Sequence, residues 1–253
     1  MSLVQKYRDV QLIEWGSGHY LAIACDVSAY IGSKDDDVVK VDPVTAGYYA
    51  TVVPVMELLS IGARPISVID TLGVEMDPTG KEIIQGVRNA MVEAGIAEDC
   101  LTGSTEDNMP SRSTTVGVTV VAELEKELLK SYKPMAGQEV WLVGLPKMGQ
   151  IFLQEEIQGG KGEVITISVV KEIRLTEGVG HMLPIGSKGI GAELKVLLAV
   201  NDLDSNLVPL EIDFNISAGP SSCMLITCNE GIGIKLKETL AVPINYVGEL
   251  EKC

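Results

Sequence analysis

At 253 residues the chain is long enough to bury the core of one large domain or of two ordinary ones. A net charge of −15 opposes a nucleic-acid backbone over most of the surface, and 4% aromatic residues are too few for a base-stacking platform. The five cysteines include no CxxC pair and there are only two histidines, which argues for reduced thiols in a cytoplasmic protein and against a disulfide framework or a histidine-rich zinc site.

The opening MSLVQKYRDV lacks the apolar core of a signal peptide, and no later apolar run is long enough to span a bilayer. Val10–Glu14 alternates apolar and polar residues, Gly16-Ser17-Gly18 turns the chain, and Tyr20–Val27 reads as a second strand with Asp26 at its end. Ile31–Asp42 is a charged, turn-rich connection carrying Asp35, Asp36 and Asp37. The apolar spacing predicts a helix over Thr45–Ile61 that stops at Gly62, with Pro54 implying a kink or a late start. Pro65–Val74 reads as a strand and Pro78–Ala94 as an amphipathic helix ended by Gly95. Leu101–Gly117 then offers a turn of small residues, Gly103, Ser104 and Thr105, followed by Glu106, Asp107, Asn108 and Pro110. A strand over Thr114–Glu123 completes a β-β-α-β-α-β order, an α+β layer with helices on one face of a sheet.

The charged segment Glu123–Pro134 ends this half, and the boundary is placed near Lys130–Gly137, giving domains 1–130 and 131–253. Glu139–Gly144 reads as a strand and Gly149–Gln158 as a helix, followed by the glycines Gly159, Gly160 and Gly162. Gly178–Leu198 is helical in its later part, and strands are expected near Leu210–Ile216, Cys223–Cys228 and Ile244–Glu249. The second half is therefore another α+β unit.

Five acids fall in a regular order. Asp26 ends a strand, Glu57 lies on the first helix, Asp70 is on the next strand, and Glu106 and Asp107 follow the small-residue turn. In such a layer they can converge at one sheet edge, or each can be satisfied locally at an element end. Small residues beside carboxylates let a backbone approach a phosphate while acids hold a divalent metal, although the segment also reads as a polar hairpin loop. No GxxxxGK[ST] phosphate loop is present, and no GxGxxG occurs in a strand-turn-helix context. Gly186-Ser187-Lys188-Gly189-Ile190-Gly191 has the form of an anion cradle opening a helix, or of a glycine-rich connection that serves packing. His181 upstream suits either a phosphate donor or a structural role, and no Ser-His-Asp or Cys-His arrangement follows from spacing.

The run from Pro54 through Glu57 and Gly62-Ala63 to Pro65 resembles the N-D-I-x-x-x-G-A-x-P helix end of the aminoimidazole ribonucleotide synthetase superfamily, which also holds thiamine-monophosphate kinase, selenophosphate synthetase and a hydrogenase maturation dehydratase. Ile66–Gly95 resembles its L-D-Y strand and following helix, placing Asp70 on the strand aspartate. Gly103–Pro110 resembles its G-G-E-T or G-G-D-T loop. The likeness covers roughly residues 20–123 well and the second half loosely.

The resemblance implies ATP bound through magnesium in a cleft of a homodimer, and a trimmed second domain. It would make Asp26, Glu57 and Glu106 the metal ligands, and Glu106, Asp107 and Lys40 the groups closest to the chemistry. Gly103, Ser104, Thr105, Asn108 and Asp70, with Gly186, Lys188 and Gly189, would line the nucleotide. Phosphoryl transfer needs positioned metal more than a protein nucleophile, which suits this composition. The sequence departs from the family at Glu57, where an aspartate is usual, at Ser104 and Thr105, and in lacking D-x-S-D-G-G after His181. The G-S-T-E-D-N loop with Val38-Val39-Lys40-Val41 upstream looks most like α-ribazole kinases, so α-ribazole is the expected acceptor. A non-catalytic nucleotide-binding protein and an ATP-dependent synthetase remain the alternatives.

Overall fold

In a computed structural model describing residues 3–253, the chain divides into two compact units, one up to Lys126 and one from Glu127 onward. Among the described residues no helix is long and apolar enough to cross a membrane.

The first unit contains strands β1 (Val4–Tyr7), β2 (Val10–Trp15) and β3 (His19–Ala29), and a small parallel ribbon of β4 (Ile31–Gly32) and β5 (Val39–Lys40). Helix α1 (Pro43–Ser60), β6 (Arg64–Leu72), α2 (Lys81–Ala94), β7 (Leu101–Thr105) and β8 (Thr115–Glu125) follow. The sheet order is β1-β2-β3-β8-β6-β7, antiparallel except for the parallel β6–β7 pair. Along β8, buried Val116, Val118, Val120 and Ala122 alternate with half-buried residues, so one face of the sheet is packed, with α1 lying against β3 and β8. The two helices approach backbone to backbone: a Cβ on Gly86 would sit 1.9 Å from the Val44 carbonyl oxygen, and one on Gly47 2.1 Å from that of Ile83.

Helix α1 starts two residues before the sequence expectation because Asp42 caps it, its carboxylate accepting from Thr45 N at 2.9 Å, with Pro43 in the first turn. Pro54 neither delays the start nor ends the helix and is buried within it. At the other end Gly62 takes φ 77°, which a residue with a side chain rarely adopts. Gly103, Ser104 and Thr105, expected as a turn, belong to an edge strand, Leu101–Thr105: pairing with β6 outweighs the weak strand preference of glycine and serine. β1 has no counterpart among the elements expected from the sequence.

The second unit opens with a short helix, α3 (Lys126–Ser131). It comprises β9 (Glu139–Val143), α4 (Gly149–Phe152) running into a π-helical stretch at Leu153–Gln158, α5 (Ile167–Leu175) and β10 (Val179–Pro184). Then come α6 (Gly189–Asn201), β11 (Leu203–Leu207), β12 (Met224–Cys228), α7 (Ile232–Thr239) and β13 (Ile244–Lys252). The strands form one antiparallel sheet in the order β10-β12-β9-β13-β11. All residues of β10 and β12 are buried, because both faces are covered. On one face Leu142, Leu183, Leu225 and Val247 meet Ile190, Leu194 and Leu197 of α6. On the other, Gly233 of α7 sits so close to the Trp141 indole that a Cβ would be 2.1 Å from it.

Leu210–Ile216 is not a strand. Asp213 turns the chain by accepting from Asn215 N at 2.9 Å, and Leu210, Ile212 and Phe214 pack onto the core instead. Their alternation is real, but it serves the α6 face of the sheet and not a ladder. The edge strand lies earlier, at Leu203–Leu207, paired with β13.

Candidate functional site

The register of four strands sets Asp26, Val118, Asp70 and Gly103 in one row across the first unit's sheet. Asp26 faces the same side as Ala22 and Ala24, and Asp70 the same side as Val68 and Leu72, which is the helix-covered side. Two strand spacings place the two Cα atoms roughly 10 Å apart. The Asp70 carboxyl leans over β7, so that a Cβ on Gly103 would lie 1.7 Å from its Oδ1. Gly103 is thus required by Asp70.

Burial pushes the Asp70 carboxyl up from 3.8 to about 6, against the opposing pull of Arg88. Burial likewise raises Asp26, with a backbone hydrogen bond at Val27 working the other way. A hard cation relieves this kind of desolvated carboxylate, and the oxygen-only donor set fits magnesium. Glu57 differs. It is buried on α1 and its Oε2 faces Arg8 Nη2 at 3.4 Å, so a guanidinium already answers its charge.

Glu106 and Asp107 begin the loop between β7 and β8. Glu106 N donates to the Leu72 carbonyl at 2.9 Å, and its Oε1 accepts from Asn108 N at 2.8 Å. Asp107 Oδ1 accepts from Met76 N at 2.6 Å, which ties the loop to the π-helical turn Met76–Gly80 ahead of α2. Ser104 and Thr105 pair with Thr71 and Leu72 of β6, and Asn108 is exposed. Lys40 Nζ donates to the carbonyls of Lys34 and Asp35, the latter at 3.0 Å. Asp26, Glu57 and Glu106 come from three separate elements and do not form a compact triad. Among the described residues the acids whose carboxylates lie within 4.8 Å of one another are Glu155, Glu156 and Glu163 in the second unit. The Lys147 ammonium is held by all three, at 2.8 Å from Glu155 and 2.5 Å from Glu163.

Gly186, Lys188 and Gly189 lie between β10 and α6 in the second unit. Two N–H donors at this helix start are taken by the chain's own carbonyls, Gly189 by Gly186 at 3.3 Å and Gly191 by Phe214 at 2.9 Å. Gly189 takes φ 78°, and a Cβ there would meet the Phe214 carbonyl oxygen at 2.6 Å. Lys188 is exposed, whereas His181 is buried on β10 with its N–H donating to Thr227 Oγ1 at 3.0 Å.

Asp37 and Thr114 carry no signal in the sequence that marks them out. Asp37 is only 4% exposed and its carboxylate accepts from Lys34 N at 2.8 Å and from both Thr114 N and Thr114 Oγ1 at 2.7 Å. Within a run of three aspartates, only burial separates it from its solvated neighbours.

The first unit's strands and helices have known relatives in sequence, and the whole chain has known relatives in fold. Residues 7–124 match the family described as AIR synthase related protein, N-terminal domain. No curated protein sequence matches the chain. Among solved structures, the fold is similar to thiamine-monophosphate kinase from Aquifex aeolicus, with TM-score 0.67 and 16% identity over 98% of this chain and 90% of that one. It is similar also to the enzyme of that name from Stenotrophomonas maltophilia, with TM-score 0.64 and 14% identity over 99% and 89%. A third structure, a ThiL protein complexed with AMPPCP and TMP, gives TM-score 0.64 and 17% identity over 97% and 85%.

Proposed function

We propose that the protein is an ATP- and magnesium-dependent phosphotransferase acting on a small molecule, with α-ribazole the favoured acceptor. The observation that carries this reading is the Asp26–Val118–Asp70–Gly103 row, which sets two desolvated carboxylates on one side of a sheet at whose end Glu106 and Asp107 begin a loop. Supporting it is the fold shared with thiamine-monophosphate kinases and with a protein complexed with an ATP analogue, AMPPCP.

In this reading Asp26, Glu57 and Glu106 hold magnesium, which would neutralise phosphate charge. Asp107 and Lys40 support the phosphates, and Gly103, Ser104, Thr105, Asn108 and Asp70 line the nucleotide. Glu57 exchanges its Arg8 partner for the cation. In the second unit the Gly186–Gly189 turn is a separate proposed anion contact, with Lys188 supplying charge. The protein works as a cytoplasmic homodimer of two domains.

The test is thermal unfolding with ATP, with and without magnesium. Ligand at a hundred times its dissociation constant stabilises by about 2.7 kcal/mol, which for a protein of this size raises the midpoint by roughly 5–10 °C. A magnesium-dependent rise followed by phosphorylation of α-ribazole supports the whole reading. The absence of any shift at millimolar ATP sinks it.

A further inference from the structure

The 106–113 loop joins β7 to β8 without regular structure, and it carries Glu106 and Asp107, two of the acids in the nucleotide reading. Its near end is fixed by Glu106 N on the Leu72 carbonyl and by Asp107 on Met76 N. Its far end is fixed by the turn Lys34–Asp37. Asp37 takes both the N–H and the hydroxyl of Thr114, Asp36 N donates to the Arg112 carbonyl at 2.9 Å, and the Arg112 guanidinium grips Asp36 with two bonds of 2.9 Å.

The same turn reaches the near end as well. Lys34 Nζ pairs with Glu75 Oε2 at 2.6 Å, and Glu75 precedes the Met76 N–H that holds Asp107. The contacts therefore close a ring: Thr114 to Asp37, Lys34 to Glu75, Met76 to Asp107. Thr114 is fully buried, so its hydroxyl can neither leave Asp37 for water nor be removed without depriving a buried carboxylate of a donor.

We propose that Asp37 and Thr114 are positioning residues for Glu106, forming a clasp that holds the acidic loop in its binding conformation before ligand arrives. The proposal rests on the magnesium-nucleotide reading for its functional consequence, but the clasp itself acts on the loop in the free protein. A loop that must be ordered on binding subtracts that ordering from affinity, and a loop already held does not.

The experiment compares the full-length wild type with Thr114→Val, which keeps shape and loses the hydroxyl, and Thr114→Ser, which keeps the hydroxyl. Amide hydrogen exchange is read without ligand, and ATP affinity is read with and without magnesium. In Thr114→Val the amides of 106–113 should exchange at least tenfold faster while those of α1 and β6 stay unchanged. Its affinity for magnesium-ATP should fall about tenfold, with little change for ATP alone, and Thr114→Ser should stay within twofold of wild type in both. Unchanged loop exchange in Thr114→Val overturns the clasp, and so does unchanged affinity for magnesium-ATP in a wild type that binds it. If wild type binds no magnesium-ATP, the nucleotide reading fails and the exchange comparison alone decides the clasp. Should Thr114→Val not fold, Arg112→Gln on the exposed half of the clasp decides the same question, with loop exchange raised about threefold expected and no rise overturning it.

Discussion

Asp26 and Asp70 flank the same residue: each is the register partner of Val118, one on β3 and the other on β6. Both side chains face the packed side of the sheet, and burial raises the pKa of both. A folded sheet gains nothing from desolvating two carboxylates in one row, and the proposed cation site would offset that cost.

Asp70→Asn should therefore stabilise the ligand-free protein. The folded carboxyl titrates at about 6 and the unfolded one at 3.8, so the folded state binds more protons between these values. The destabilisation is full above pH 6, fades as pH falls, and vanishes below 3.8. Allowing for solvent screening, the variant should gain about 1–2 kcal/mol at pH 7 and nothing at about pH 3.5. Denaturant melts at both pH values check this, and a loss of stability at pH 7 contradicts it.

Gly103→Ala should destabilise by about 2 kcal/mol or more, because its Cβ would occupy the place of Asp70 Oδ1. Removing the carboxylate should remove part of the penalty, because the Asp70 carbonyl oxygen would still lie 2.5 Å from the new Cβ. In the double variant Asp70→Ala/Gly103→Ala, a coupling of at least about 1 kcal/mol is expected from a double-mutant cycle. Additive losses would show that β7 rejects the methyl group for another reason.

Arg8→Met separates two roles for Glu57. Losing the guanidinium should lower stability by about 1–3 kcal/mol, since it removes a cation that faces a buried carboxylate. If Glu57 is a metal ligand, the variant should also bind magnesium more tightly, as measured by the rise in unfolding midpoint with added magnesium. An unchanged magnesium response assigns Glu57 to the ion pair alone.

Gly86→Ala tests the packing of α1 on α2. Alanine gains about 1 kcal/mol of helix propensity over glycine. Its methyl group, however, would stand 1.9 Å from the Val44 carbonyl oxygen, a backbone atom that cannot rotate away. A net loss of about 2 kcal/mol is expected on chemical denaturation, and a neutral result would mean that the helices slide apart freely.

Much of the first unit could be read in the residues because periodicity and local end signals agree there. The hairpin β2–β3, the helix ending at Gly62 and the helix ending at Gly95 each combine an apolar pattern with a breaker. β7 escaped because its sequence, LTGST, carries no strand signal of its own and depends on β6. The order of Asp26, Glu57, Asp70 and Glu106 along the chain was visible, but their partners were not. Arg8 reaches Glu57 and Asp37 reaches Thr114 only through tertiary folding. The second unit was less legible, since α5 and α7 are only nine and eight residues long, and the alternation at Leu210–Phe214 mimics a strand.

The place of β9 in its sheet carries a consequence for how the protein is made. It is the first strand of its unit to leave the ribosome and lies at the centre of the sheet, yet its neighbours on both sides, β12 and β13, are the last two strands to be synthesised. Throughout elongation Val140, Leu142 and Val143 therefore wait with both edges unpaired, whereas most strands of the first unit find a partner close behind them. The second unit completes its sheet only when β13 arrives, late and nearly all at once, and a nascent chain stalled before that point exposes an apolar strand that chaperones or aggregation would claim.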